Sequence, residues 1–154
     1  MHRLWEFLHL VFAFSYVGSL IVAEWNGRAA RATTDWSQRM TLFQIIHLSS
    51  RVAGTGSLLL TGLLGHLVAN GYGYSMAKDR WLWIVTALWL ASLAVQVLVT
   101  VPQSTRLVNL SRAGAAGGDT AGFVPALARW RIGNVARSVL YMALLALMVF
   151  PWRS

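Results

Sequence analysis

The chain contains no cysteine, which excludes disulfides, thiolate metal sites, iron–sulfur clusters and covalent CxxCH haem attachment. Charge is also scarce. Lys, Arg, Asp and Glu make up 12% of the 154 residues, about half the quarter that a soluble domain usually carries. Acidic residues number only 5 against 13 basic ones. No GxSxG, P-loop, GxGxxG or HExxH pattern occurs, so the usual signatures of soluble enzymes are missing. Gly54-Thr55-Gly56-Ser57 lies in an apolar stretch, where small residues serve helix packing rather than phosphate binding. These absences exclude a disordered chain, a coiled coil and an ordinary soluble globule.

What the chain does have is apolar length. It is 56% hydrophobic with a mean hydropathy of +0.55, and a helix needs roughly 20 apolar residues to cross hydrocarbon. Four runs meet that requirement: Leu4 to Trp25, Leu42 to Ala69, Trp81 to Val101 and Trp130 to Phe150, the last two closed by Pro102 and Pro151. The expected fold is therefore all-α: a polytopic membrane protein, one domain over residues 1–154, built as an antiparallel four-transmembrane-helix bundle. The second run is roughly 42 Å long at 1.5 Å per residue and must tilt or project. Tryptophans 5, 25, 81, 83, 130 and 152 fall near the run ends, as an interfacial aromatic belt requires. The length and acidic residues of the first run argue against a cleaved signal peptide.

The connections are Asn26 to Thr41, Asn70 to Arg80 and Gln103 to Arg129, the third glycine-rich and expected to be mobile. Connections one and three, with Arg131 at their edge, hold seven arginines; the opposite side holds Arg3, Lys78, Arg80 and Arg153. Positive charge collects on the cytoplasmic side. This places both termini outside, and it accounts for the basic balance without nucleic acid.

Ionisable residues within hydrocarbon are expensive and mark function or an internal pair. Glu6, His9, Ala13, Tyr16, Leu20 and Glu24 share an arc of roughly 80° at 100° per residue. Gln44, His47, Arg51, Gly54, Thr61, Gly62, Gly65 and His66 share about 140° of the second helix. Trp130, Asn134, Arg137, Tyr141 and Met148 line one face of the fourth, and Trp89, Ser92, Gln96 and Thr100 form a weaker stripe on the third. The polar faces are expected to meet inside the bundle.

Depth divides these residues. His9 and His66 lie about 7.5 and 4.5 Å below the outer ends of adjacent antiparallel helices, with Glu6 one turn above His9. Two facing histidines at one level suit a b-type haem with two imidazole ligands, and Gly62 and Gly65 would let a porphyrin approach the backbone. Equally, the glycines would serve close helix packing and His66 would be merely interfacial. Copper also accepts imidazole, but no methionine cluster accompanies the pair. Deeper in, Arg51 and Arg137 lie about 10 to 13 Å from the cytoplasmic boundary. One should pair with Glu24, leaving the other for a ligand anion such as a haem propionate. Snorkelling to the headgroups would suit Arg137 better than Arg51. His47 is roughly 28 Å from His66 along one helix and would be a second ligand, a proton relay or a hydrogen-bonded core residue.

The run Phe7-Leu8-His9-Leu10-Val11-Phe12, continued by Tyr16-Val17-Gly18-Ser19-Leu20, resembles the first helix of a group of small four-helix bacterial membrane proteins. The ending, Arg131-Ile132-Gly133-Asn134 and then Leu144 to Pro151, is similar to their last helix. The group includes HemJ-type protoporphyrinogen oxidases, the CopD copper-resistance domain and uncharacterised relatives, to which the chain is most similar. The resemblance implies that His9 is a haem ligand. The lysine and the glycine-tyrosine-histidine run of the HemJ third helix have no counterpart in Trp81 to Val101, so a second ligand would fall on His66.

The expected function is a redox or electron-transfer role with haem b, HemJ-like oxidoreductase activity being its finest form. A quinone or another membrane carrier would be the redox partner. Two other classes fit the same residues. One is a cofactor-free accessory or scaffold subunit of a larger membrane complex, or of an oligomer. The other is a transport or proton-relay bundle using Glu6, Glu24, His47 and Arg51.

Overall fold

The computed structural model describes residues 2–149, and among them it is entirely helical. Four long helices succeed one another: α1 (His2–Ala32), α2 (Trp36–Gly71), α3 (Arg80–Ala115) and α4 (Phe123–Val149). All four are long and apolar enough to cross a membrane. Pro151, Trp152 and Arg153 lie outside the described residues. We call the end that carries the start of α1 and the 72–79 link the upper end. The lower end carries the 33–35 and 116–122 links.

Every helix is longer than its apolar run, because helical periodicity continues after hydropathy falls. In α3 the inward positions Ser104, Leu107, Val108 and Ser111 recur at helical spacing and are buried. The segment expected to be a mobile connection from Gln103 is thus helical to Ala115, and the real link is 116–122. The 33–35 link is shorter still. Asp35 caps α2 by accepting the Ser37 N–H at 2.8 Å, and Thr33 Oγ1 accepts the Asp35 N–H at 3.2 Å. The lower-end arginines therefore lie mostly on helices rather than in loops. Trp130, expected at the membrane edge, is instead a core residue well inside α4, where a Cβ on Gly27 would lie 2.6 Å from its ring.

Two helices contain one wide π-type turn each, Ser49–Gly54 in α2 and Gln96–Thr100 in α3. The second lies just before Pro102. Proline lacks an N–H and its ring crowds the carbonyl four residues back, here Leu98, and the widened turn gives that ring room. Pro102 therefore does not end the helix. In α2 the wide turn inserts extra backbone and breaks the expected polar stripe. Thr61 is buried above it and Gly54 within it, whereas Gln44 is exposed below it and Arg51 within it.

The core has two apolar parts. The upper cluster is built on Tyr16, Leu58, Val85, Tyr141 and Leu144. The lower one is built on Phe43, Ile46, Leu107, Phe123 and Trp130, with small residues beside them. Between them lies a polar layer of Ser19, Ser50, Gln96, Thr100, Asn134 and Arg137, all buried. The lower halves of α2 and α3 pack closely, while their upper halves touch far less.

Candidate functional site

Where the upper halves of α2 and α3 part, a cavity of about 340 Å³ opens, touched by all four helices. That volume falls in the roughly 300–1,000 Å³ range of small-molecule and cofactor pockets. His9, Thr61, His66, Tyr72, Trp89 and Tyr141 are among its lining residues; most of the others are apolar. The two histidines singled out by depth thus share one cavity.

Each imidazole is oriented by backbone. His9 Nδ1 lies 2.9 Å from the Thr61 carbonyl oxygen, and His66 Nδ1 lies 2.7 Å from that of Gly62. A carbonyl can only accept, so Nδ1 carries the proton in both rings and Nε2 is left as the lone-pair nitrogen of the neutral form. His66 Nε2 lies 2.8 Å from Thr86 Oγ1, which is also 2.7 Å from the Leu82 carbonyl oxygen. One hydroxyl proton cannot serve both acceptors. The Thr61 hydroxyl, also on the cavity wall, is buried and has no hydrogen-bond partner.

Of the two uses open to the glycines of this face, the contacts fit close helix packing rather than clearance for a porphyrin. A Cβ on Gly62 would overlap the Trp89 indole, whose Nε1–H donates to the Leu58 carbonyl at 2.8 Å. A Cβ on Gly65 would lie 3.0 Å from His9 Cε1. The clearance is thus filled by the chain's own rings, and the space for a ligand lies beside them.

At the upper end Tyr72 donates its O–H to Glu6 Oε1 at 2.6 Å, tying the end of α2 to α1. This hydrogen bond, and after it the negative charge of Glu6, hold the phenol above its ordinary value.

The deeper charged residues do not join the cavity. Arg51 is exposed on the flank of the bundle. Arg137 is fully buried at 0% exposure, so the expectation that Arg137 would snorkel more readily than Arg51 is reversed. Glu24 pairs with neither. It accepts from Arg28 Nε at 2.7 Å, one turn further on in α1, and from Asn134 Nδ2 at 3.3 Å. Arg137 is held by neutral amides. Its Nε and Nη2 donate to Asn134 Oδ1 at 3.0 and 2.7 Å, and its Nη1 donates to Gln96 Oε1. Gln96 Nε2 then donates at 2.6 Å to the Ser50 carbonyl, an oxygen of the wide turn of α2 that also accepts from Thr55 Oγ1. Tyr16 packs its ring 4.7 Å from that of Tyr141, and its hydroxyl has no partner. His47 sits apart, its Nδ1 3.0 Å from Ser104 Oγ and 3.3 Å from Thr105 Oγ1. The half-buried ring is thus hydrogen-bonded to α3.

Thr86 and the bridging role of Gln96 carried no recognisable signal in the sequence. Each matters through a partner 20 or more residues away. Among the described residues no three His, Asp or Glu side chains gather as a metal group. A metal ion at His9 and His66 would need its remaining ligands from elsewhere, and a porphyrin supplies four.

No family model, curated protein or solved structure matches the chain.

Proposed function

We propose that the protein is a b-type haem-binding electron-transfer component of a bacterial inner membrane, with the cofactor in the upper cavity ligated by His9 and His66. One observation carries this reading: two imidazoles on different helices line one largely apolar cavity, each with Nδ1 tied to a backbone carbonyl. Histidine ligands of metals almost always make such a bond, which fixes the tautomer and turns Nε2 to the metal. His9 Nε2 makes no hydrogen bond among the described residues and is free to serve. His66 Nε2 must leave Thr86, whose hydroxyl keeps the Leu82 carbonyl as its acceptor. When bound, haem supplies a one-electron couple between its ferric and ferrous states.

The chain's own residues would then bind and orient the group and keep water away. Leu10, Val85 and Leu144 form apolar walls, and Tyr72 and Tyr74 border the cavity on the side of the 72–79 link. Arg51 and Arg137, expected to bind propionates, are not part of the cavity and have no place in this reading. The lower end, rich in arginine, would face the cytoplasm. The cavity would then face the outer half of the membrane, within reach of a quinone or another membrane carrier. The sequence resemblance to HemJ-type proteins supports the same role for His9.

The test is an oxidised-minus-dithionite-reduced visible spectrum of the detergent-purified protein, beside His9→Ala and His66→Ala. The expected result is a Soret band with sharp reduced α and β bands, lost or shifted in each variant. A wild type that stays colourless after haem is supplied during expression overturns the reading.

A further inference from the structure

A second cavity, of about 330 Å³, lies on the flank of the bundle between α1 and α4, below the polar layer. It is lined by Leu20, Ile21, Glu24, Trp25, Arg28 and Ser138. In a chain that spans a membrane this flank faces lipid, yet it carries a charge pair whose side chains are 45% (Glu24) and 73% (Arg28) exposed. Lipid-facing charge near a helix end calls for a polar partner.

The pair is only half used. Glu24 Oε1 accepts from Arg28, but Oε2 accepts only the 3.3 Å contact from Asn134. Arg28 donates through Nε alone, and among the described residues its Nη1 and Nη2 have no partner. A weakly bonded carboxylate oxygen and a free pair of guanidinium nitrogens therefore flank the 2.7 Å contact, on residues one helical turn apart in α1. Beside them Ile21 and Trp25 are exposed apolar surface, with Leu20 completing the wall.

We propose that this groove binds a glycerophospholipid with a primary-ammonium head group. The ammonium donates to Glu24 Oε2, the phosphate accepts from Arg28 Nη1 and Nη2, and an acyl chain runs along Leu20, Ile21 and Trp25. Charge complementarity selects this occupant. A choline head group has no N–H to give Glu24, and a glycerol head group brings no cation, leaving Arg28 alone to offset both the carboxylate and the phosphate.

The test is native mass spectrometry of the delipidated full-length protein with phosphatidylethanolamine, phosphatidylcholine or phosphatidylglycerol added in turn. The wild type should retain the ethanolamine lipid about tenfold better than the choline lipid, the discrimination expected of one charge-assisted hydrogen bond. Glu24→Gln, which keeps shape and removes charge, should abolish that preference. Ile21→Trp, an exposed change that fills the groove and leaves both charges in place, should weaken retention of the ethanolamine lipid, and it decides the matter if Glu24→Gln does not fold. Equal retention of ethanolamine and choline lipids by the wild type overturns the proposal, as does an unchanged preference in a folded Glu24→Gln. Undiminished ethanolamine-lipid binding in Ile21→Trp overturns it as well.

Discussion

Gln96 accepts a hydrogen bond from the fully buried Arg137 and passes the contact on, through its own amide N–H, to the Ser50 carbonyl across the bundle. One neutral side chain thus links a buried cation on α4 to the wide turn of α2. Amide dipoles can solvate a guanidinium where no carboxylate is at hand, and each hydrogen bond to a charged group contributes about 1.5–3 kcal/mol.

Gln96→Leu should therefore be among the most damaging single changes in the protein. It strands an Arg137 donor and removes a donor from Ser50, and truncating one partner of a buried charge costs about 3–5 kcal/mol. A large drop in Tm in detergent is expected, read by circular dichroism. A Tm within a degree of the wild type would show that Arg137 finds another acceptor.

Gly62→Ala should destabilise the upper half, since the new methyl would take the place of the Trp89 indole. Overpacking of this kind costs about 1–3 kcal/mol. Gly56→Ala is its control. Nothing lies within 4 Å of a Cβ at Gly56, and alanine is favoured over glycine in a helix by up to about 1 kcal/mol. The two substitutions should shift Tm in opposite directions.

Thr86→Val should raise haem occupancy if His66 is a ligand. The change removes the hydroxyl that competes for His66 Nε2 at nearly constant volume. The ratio of Soret to protein absorbance, compared between parallel preparations, should rise. A fall would show that Thr86 supports the bound state.

The Tyr72 phenol should titrate above its ordinary value of about 10, because its O–H is bonded to Glu6 and ionisation would set two negative charges side by side. The contribution to stability is fully present below the ordinary phenol value and is lost as pH rises through the raised one. A phenolate absorbance titration of the wild type against Tyr72→Phe isolates the group. In Glu6→Gln the same transition should move back toward its ordinary position.

The spans were legible because hydrocarbon imposes a long, unbroken apolar requirement that few other structures share. The histidine pair was legible for a related reason: depth along an antiparallel pair of helices comes from counting residues. The helix ends were not, because hydropathy fades at the membrane edge while the inward spacing of Leu107, Val108 and Ser111 continues. The partners of Arg137 were missed because matching charge with charge directs attention to Glu24, whereas Asn134 and Gln96 satisfy the guanidinium. The stripe on α2 failed between Arg51 and Gly54, where a uniform 100° step no longer describes the backbone. Thr86 reaches His66 only once α2 and α3 are folded together, and nothing local marks it.

The wide turns divide the molecule into two independently phased sections, coupled like the two cams of one shaft. A residue added to a helix rotates the remainder of that helix by about 100°, so the His66 face and the Phe43 face of α2 hold their common orientation only through Ser49–Gly54. Deleting one residue there would not merely shorten the helix. It would swing His66 away from His9 while the lower core stayed in register, separating the two ends of the bundle as functional parts.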